Sequence, residues 1–303
     1  MDEEDLLAVP FAKGHGTEND FIVLLDPTNR LRLSAADVIA LCDRRTGLGA
    51  DGVLRAVRTA ALTGTPGSDA EWFMDYRNPD GSLGAMCGNG IRLLARYLGA
   101  TGRVPAGPLV LATRAGTRRL TAPRSGDISV EMSWPDVSDR HVTVTAGGHH
   151  WPALQVDIGN PHAVVFVDDL SRPGPLLTPP VVTPQDAYPH GVSVEFVREL
   201  SPYHLSLRIH ERGAGETRSC GTGACAAVAA VLHRRNPSPG PQVFTVDSPG
   251  GRLTVTAAPD GALTLAGPAE IAVRGALHLP GRMEPALGGE HDGSALVPHD
   301  GAG

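Results

Sequence analysis

Most of the periodic segments in this chain have the hydrophobic pattern of β-strands. Apolar positions alternate with polar ones, or β-branched residues run together, between Gly, Pro and Asp residues that end each segment. The pattern predicts strands in DISVEMSW, HAVVFVDD, VSVEFV, HLSLRIHE, QVFTVDS and RLTVTAA. Between the last two, the sequence SPGG predicts a hairpin turn. The chain should therefore be rich in β-structure.

Helical patterns are fewer. One covers Ala35 to Asp43, with Ser34 as its N-cap. Two more apolar runs follow a Cys-Gly-x-Gly motif, in GSLGAMCGNGIRLLARYL and GETRSCGTGACAAVAAVL, and the second should form a buried central helix because it is apolar all round. Residues 176–189 are punctuated by proline and predict a loop with little regular structure. Residues 281–303 lose all periodicity and predict a disordered tail.

The chain repeats a spacing of polar residues and cysteines. In each half an Asn leads an apolar strand, 68 residues before the cysteine in one half and 60 in the other. A further polar residue stands nine residues before each cysteine. The corresponding positions, first half and then second, are Asn19 and Asn160, Asn78 and Glu211, and Cys87 and Cys220. The recurrence indicates a duplicated unit with a pseudo-twofold axis and a site between the halves.

Composition and charge exclude several classes of partner. The net charge is −7 and no run of basic residues occurs, which argues against nucleic acid. No apolar stretch reaches the ~18 residues that a membrane span needs, and the N-terminus is acidic where a signal peptide is basic. Four cysteines without paired spacing predict reduced thiols and a cytoplasmic protein.

The chain has a single lysine, Lys13, so its cofactor options are narrow. A pyridoxal-phosphate enzyme needs a lysine for its Schiff base, and no phosphate cradle is evident around this one. No metal is expected either. There is no C-x-x-C motif, and Cys220 with Cys225 lacks the second ligand pair of a zinc site. We therefore expect no cofactor and no metal.

The two Cys-Gly-x-Gly motifs point to acid–base chemistry. A cysteine at a helix start lies near backbone N–H groups, which should lower the pKa of its thiol. The glycines leave amides free to bind a carboxylate. Two such thiols on opposite sides of one carbon, in opposite protonation states, can remove a proton from one face and return one to the other. We expect Cys42 and Cys225 to be buried structural residues, and from spacing alone His162 and His210 to be turn and strand residues.

Several long motifs together resemble the diaminopimelate epimerase family, in the family's order, from about Phe11 to Gly275. They are FAKGHGTENDFIVL, CDRRTGLGADGVL, MDYRNPDG, MCGNGIR, IGNPHAVVFVDD, IHERGAGETRSCGTGACA and SPGGRLTV. The resemblance implies an α/β fold of two pseudo-symmetric domains, each a mainly antiparallel barrel-like sheet around a central helix. The first would comprise residues 1–127 with a strand returning at 269–280, and the second residues 128–268.

The resemblance also implies an activity: the cofactor-independent epimerisation of LL-2,6-diaminopimelate to the meso isomer, for lysine and peptidoglycan synthesis. It assigns catalysis to Cys87 and Cys220, accompanied by His162 and Glu211 near the reacting amino group. The implied substrate-binding residues, at the reacting carboxylate or at the distal end, are Asn19, Asn78, Gly88, Asn89, Asn160, Ser193, Arg212, Gly221 and Thr222.

Ser193 departs from the family pattern, which has asparagine there. Its hydroxyl is shorter and offers fewer hydrogen bonds than an amide, so the identity of the substrate stays open. The alternatives are a racemase or epimerase of another amino acid with a recast distal pocket, and a non-catalytic amino-acid-binding protein. The two intact cysteines argue against the binding protein. The expected partner is a small-molecule amino-acid substrate, with neither nucleic acid nor membrane, and a homodimer is left open.

Overall fold

The computed structural model describes residues 8–63, 69–235 and 240–279. The predicted tail at 281–303 lies outside these residues. The elements of the first part of the chain are β1 (Ala8–Gly16), β2 (Asn19–Leu25), α1 (Ala35–Cys42), β3 (Val53–Arg58), β4 (Trp72–Arg77), α2 (Gly88–Ala100), β5 (Gly107–Thr113), β6 (Gly116–Ala122) and β7 (Ile128–Met132).

The second part of the chain contains more strands. Its elements are β8 (Asp136–Ala146), β9 (His149–Asp157), β10 (Pro161–Phe166), β11 (Val181–Thr183), β12 (Ser193–Ser201), β13 (His204–Glu211), β14 (Gly215–Thr217), α3 (Gly221–Arg234), β15 (Gln242–Ser248), β16 (Gly251–Ala257), β17 (Leu263–Gly267) and β18 (Glu270–His278). Short 3₁₀ turns occupy Thr59–Ala61 and Gln185–Ala187.

The six strands predicted from hydrophobic alternation are confirmed as β7, β10, β12, β13, β15 and β16. The predicted hairpin joins β15 to β16, with Ser248 opposite Gly251. The predicted first helix is α1. Its N-cap Ser34 accepts from the backbone of Asp37, whose carboxylate in turn accepts from the backbone N–H of Ser34. The proline-rich segment at 176–189 is irregular except for the 3₁₀ turn and β11, which pairs along the edge of β8.

Strand pairing repeats between the two parts of the chain. β2 runs parallel to β3 and β4 parallel to β5, just as β10 runs parallel to β12 and β13 to β15. The neighbours of these pairs are antiparallel in both parts, including β5–β6–β7 and β15–β16–β17. The equivalent strands β7 and β17 pair with each other. β18 returns to pair with β1, as β8 pairs with β9.

Each half wraps its sheet around one helix. α2 lies against β1, β2, β6, β7 and β18, and α3 lies against β9, β10, β12 and β16. Small residues make α3 narrow, and its side chains from Ala224 to Val231 are almost wholly buried. One large apolar core runs through both halves and includes residues of both helices. Among the described residues, no helix has the length and apolar character that a membrane crossing requires.

Candidate active site

Each of the two motif cysteines caps the start of a central helix. Cys87 precedes α2 and Cys220 precedes α3, both with extended backbone angles. The two caps have the same geometry: the Gly90 N–H donates to the Cys87 Sγ at 3.4 Å, and the Gly223 N–H donates to the Cys220 Sγ at 3.4 Å. The sulfur at an N-cap takes the place that a Ser or Asp oxygen takes at other helices. The duplicated sequence thus places one thiol at each helix start.

The two helix starts touch each other. A Cβ built on Gly221 would lie 3.5 Å from the Gly88 Cα and 2.8 Å from a methyl of Leu265. A Cβ on Gly88 would also lie 3.1 Å from this methyl, so side chains at the two glycines would crowd Leu265, while the two helix starts are in van der Waals contact. Because both helices point their N-termini at this place, two sets of free amides and two positive dipole ends converge there. Such a place favours an anion, for example a carboxylate.

The Asn89 side chain links both halves beside the thiols. Its amide Nδ2 donates to the Asn19 Oδ1 at 3.2 Å and to the Ser219 carbonyl at 3.2 Å. The same Asn19 oxygen lies 3.7 Å from the Cys87 Sγ, which donates to it. Thr17 also bridges the halves, since its hydroxyl donates to the Ser219 Oγ at 2.7 Å.

The second thiol has its own polar surroundings. The Cys220 Sγ lies 3.3 Å from the Thr222 Oγ1 and also hydrogen-bonds to Glu211. Glu211 accepts in addition from the Thr217 hydroxyl. Asn160 donates to the Thr222 Oγ1 at 3.5 Å. Glu211 and Asn160 therefore lie beside Cys220, as Asn19 lies beside Cys87.

A buried ion pair lies behind the start of α3. His162 Nδ1 is 2.6 Å from Glu195 Oε1, and both side chains are 0% exposed. His162 stands opposite Ser193 in the parallel β10–β12 register, so Glu195 two residues on faces the same side. A Cβ on Gly223 would lie 2.8 Å from the Glu195 Oε1, so the carboxylate rests against the first turn of α3. His162 Nε2 has no partner among the described residues.

The sequence predicted that the helix starts lower the pKa of both thiols. That prediction is wrong for the net shift, because the pKa of each thiol is raised. Burial raises the pKa of the Cys87 thiol to about 11, outweighing the Gly90 amide, which lowers it. Burial, with the carboxylates of Glu211 and Glu195, raises the pKa of Cys220 well above its ordinary value. Burial likewise raises the pKa of Glu211. Desolvation in a nearly closed site outweighs two or three amide dipoles, so both thiols are protonated at neutral pH in the unliganded protein.

Comparison with known proteins now identifies the family. The model of the diaminopimelate epimerase family matches residues 11–137 and 154–272. The diaminopimelate epimerase of Streptomyces coelicolor is 50% identical over 273 residues, covering 88% of this chain and 94% of that protein. The enzyme of Thermobifida fusca is 45% identical over 277 residues, covering 89% and 98%. The chain belongs to the diaminopimelate epimerase family.

Solved structures at lower identity share the fold of this family member. A phenazine biosynthesis protein of the PhzF family from Bacillus anthracis superposes with a TM-score of 0.69 at 15% identity, covering 90% of this chain and 99% of that one. A hydroxyproline epimerase from Agrobacterium vitis, with bound trans-4-hydroxy-L-proline, has a TM-score of 0.66 at 17% identity and covers 90% and 93%. The predicted fold class, two similar domains of mixed α/β structure, is confirmed.

The structure brings most residues implied by the family resemblance around the two helix starts. These are Asn19, Cys87, Gly88, Asn89, Asn160, His162, Glu211, Cys220, Gly221 and Thr222.

The three other residues lie at turns and strand ends. The Asn78 amide donates to the Ser82 hydroxyl at 2.9 Å. Ser193 is buried, and its hydroxyl accepts from the Arg212 backbone N–H at 3.2 Å. The Arg212 side chain lines a surface cavity of about 410 Å³ together with Asp157.

Sequence reasoning missed Glu195, Arg92, Thr17 and Ser219. Glu195 had a signal, because a charged residue on the inward face of a strand such as SVEFV needs a buried partner. Arg92 had a similar one, as an arginine inside an otherwise apolar helical run. Thr17 and Ser219 had none, since their contact joins residues 202 positions apart.

The described residues contain no group of three or more His, Cys, Asp or Glu side chains arranged around a metal ion. The ammonium of Lys13 donates to the Leu48 carbonyl at 3.1 Å and pairs with Asp20 at 3.1 Å. Both contacts hold the Lys13 side chain beside β1.

Proposed function

We propose that this protein inverts one α-carbon of LL-diaminopimelate, giving the meso isomer, by proton transfer between Cys87 and Cys220. The observation that carries the proposal is the contact between the two helix starts, each capped by a thiol. In this proposal the two thiols flank one α-carbon, whose carboxylate binds at the helix starts.

The reacting carboxylate is held by the backbone amides at the starts of α2 and α3, from Gly88, Asn89, Gly221 and Thr222. One cysteine, as thiolate, takes the α-proton and becomes a thiol. The electron pair of the broken C–H bond delocalises into the carboxylate, whose growing charge faces both sets of amides. The other cysteine donates its proton to the opposite face of the carbon and becomes the thiolate. One proton leaves, one arrives, and the configuration inverts.

The raised thiol pKa values require a group that prepares the thiolate. Glu211 is suited to this because it hydrogen-bonds to Cys220, and burial raises the pKa of its carboxyl toward that of a useful base. His162 is suited to a place near the substrate amino group, because its Nε2 is buried without a partner while its Nδ1 is bound to Glu195. Both residues act beside the thiols and need no cofactor.

The distal end of the substrate carries a second amino group and a second carboxylate. The Arg212 guanidinium suits that carboxylate, since it can pair with two oxygens at once. Asn78, Asn160 and Ser193 would complete the distal set. Ser193 also supports the second candidate, an epimerase of a different amino acid: its hydroxyl is already engaged by the Arg212 backbone, so it offers the substrate less than an asparagine would.

The location and assembly belong to the same proposal. We place the protein in the cytoplasm because the reaction needs two reduced thiols, and the cysteines at 42, 87, 220 and 225 are all free. A homodimer stays a prediction, as do the domain limits at 127/128 and 268/269.

Cysteine variants test the proposal. Cys87→Ala and Cys220→Ala should each abolish epimerisation of LL-diaminopimelate, because one acid–base group cannot serve both faces of the carbon. The matched control is Cys42→Ala, which removes a buried thiol at the end of α1 and should keep near-normal turnover. Conversion is followed by chiral separation of the diaminopimelate isomers. Near-normal turnover in both active-site variants would reject the two-thiol mechanism.

A further inference from the structure

Arg92 is an unusual side chain in the second turn of α2. It is 0% exposed and makes no ion pair among the described residues, although the charge of Asp127 acts on it from beyond ion-pair distance. Its two terminal nitrogens donate to neutral acceptors, the Gly88 carbonyl at 3.0 Å and the Asn89 Oδ1 at 2.9 Å, and its Nε has no partner. A buried charge without a direct ion-pair partner is unfavourable in a folded protein.

The surroundings are shaped to hold this guanidinium in place. A Cβ on Gly16 would lie 3.2 Å from an Arg92 terminal nitrogen, and a Cβ on Gly267 would lie 3.3 Å from the same atom. Glycines on two different strands therefore leave room for it. Burial lowers the pKa of Arg92 to about 10, so the side chain still carries its charge at neutral pH.

Arg92 also determines how two neighbouring amides are oriented. A guanidinium only donates, so the Asn89 oxygen must face it and the Asn89 Nδ2 must face the other way. That nitrogen donates to the Asn19 oxygen at 3.2 Å, and the Asn19 nitrogen in turn donates to Asp51 at 2.8 Å. The Asn19 oxygen is thereby directed at the Cys87 thiol. A chain of hydrogen bonds leads from the buried cation to the sulfur.

We propose that Arg92 is a positioning residue of the reaction. Its buried positive charge, which has no ion-pair partner among the described residues, is balanced by the carboxylate of the bound substrate. The inference rests on the proposed function, because it needs a carboxylate at the starts of α2 and α3. Arg92 lies behind the first turn of α2 and acts through Gly88 and Asn89, not by touching the substrate. Its charge adds to the helix amides as the negative charge on the carboxylate grows during proton removal.

Three substitutions distinguish the effect of the Arg92 charge from the effect of its hydrogen bonds. Arg92→Met removes both, Arg92→Gln keeps a donor for Asn89, and Arg92→Lys keeps the charge. The matched control is Arg96→Met on the same helix. Within the described part of the chain, the Arg96 guanidinium donates to carbonyl oxygens alone, including those of Ala269 and Pro123. Each variant is assayed for kcat and KM on LL-diaminopimelate, and for melting temperature with and without diaminopimelate.

We expect Arg92→Met and Arg92→Gln to lower kcat/KM about 100-fold, with part of the loss in kcat, as for other removed anion-stabilising groups. Arg92→Lys should recover to within about tenfold of the parent. The unliganded Arg92→Met protein should melt at or above the parent temperature, since an unpaired buried charge is gone. The rise in melting temperature that diaminopimelate causes should be largely lost. Arg96→Met should show the reverse: a lower melting temperature, with normal kinetics and a normal ligand shift.

Two results would overturn the inference. One is a kcat/KM within threefold of the parent for both Arg92→Met and Arg92→Gln. The other is a loss of activity that follows a fall in melting temperature, keeps the full ligand shift and is not recovered by Arg92→Lys, which would make Arg92 a purely structural residue. Failure of the proposed function is a different result, because the parent protein itself would then leave LL-diaminopimelate unchanged.

Discussion

Replacing Glu195 by glutamine tests whether the buried His162–Glu195 pair is charged. Glutamine keeps the shape and an acceptor oxygen for the His162 Nδ1, now 2.6 Å from Oε1, but removes the negative charge. Burial alone would lower the pKa of His162, yet the Glu195 charge and hydrogen bond raise it above its ordinary value of 6.5. The substitution should therefore take away a stabilisation that depends on pH.

The size and sign of the effect follow from the contact. Two unit charges about 4 Å apart interact by about 4 kcal/mol at an effective dielectric constant of about 20, and removing one partner of a buried pair typically costs about 3–5 kcal/mol. A histidine whose folded pKa is raised contributes stability fully below its unfolded pKa and loses it as pH rises through the folded value. Glu195→Gln should thus lower the free energy of unfolding by about 3 kcal/mol near pH 6, and by less at pH 9.

The assay is denaturant unfolding at a series of pH values. His210→Gln is the matched control, because His210 is also buried but makes no ion pair among the described residues. Burial lowers its pKa more than the charge of Glu216 raises it. Its folded form loses stability as pH falls, so the cost of His210→Gln should shrink toward acid pH while the cost of Glu195→Gln shrinks toward alkaline pH. A cost of Glu195→Gln that is the same at pH 6 and pH 9 would show that the pair is neutral, and would refute the reasoning.

Three other predictions concern the site and its helices. Mild oxidant should inactivate the protein by forming a disulfide between Cys87 and Cys220, and dithiothreitol should restore activity, because residues that precede two touching helix starts need little movement to meet. Activity that is unchanged by oxidant would contradict this prediction. Ser193→Asn should leave or improve kcat/KM for LL-diaminopimelate, mostly through KM, whereas a fall in the native reaction with a gain on diaminopimelate would indicate a different substrate. Gly99→Ala, where a Cβ meets nothing within 4 Å, should stabilise α2 by about 0.5–1 kcal/mol, while Gly221→Ala, 2.8 Å from Leu265, should cost about 1–3 kcal/mol; thermal melts that rank the two the other way would contradict the packing.

The parts of the fold that the sequence predicts well are those with local signals. Alternation alone located β13 and β15 at their observed ends, and the turn between Ser248 and Gly251 has its own sequence signature. The repeated spacing of Asn and Cys predicted two thiols in equivalent settings, and the structure places both at helix N-caps. Such features need only neighbours in the chain.

The parts that sequence reasoning missed depend on distant residues. Glu195 contacts His162, 33 positions away in the sequence, and Thr17 contacts Ser219, 202 positions away. No local sequence pattern predicts either contact. The thiol pKa had the wrong sign for a similar reason. The helix amides that lower the pKa of Cys87 are visible in the motif, but the burial that raises it comes from both halves of the fold.

The most direct measurement of the central claim is the fate of the α-proton in deuterated water. LL-diaminopimelate is incubated with the protein to low conversion, and product and recovered substrate are analysed separately by mass spectrometry. With two thiols, the first meso product should carry deuterium at its inverted carbon, because its new proton comes from the second, solvent-exchanged group, while recovered LL substrate keeps its original proton. Meso product that retains the substrate's own α-proton would mean that one group serves both faces, and would contradict the account.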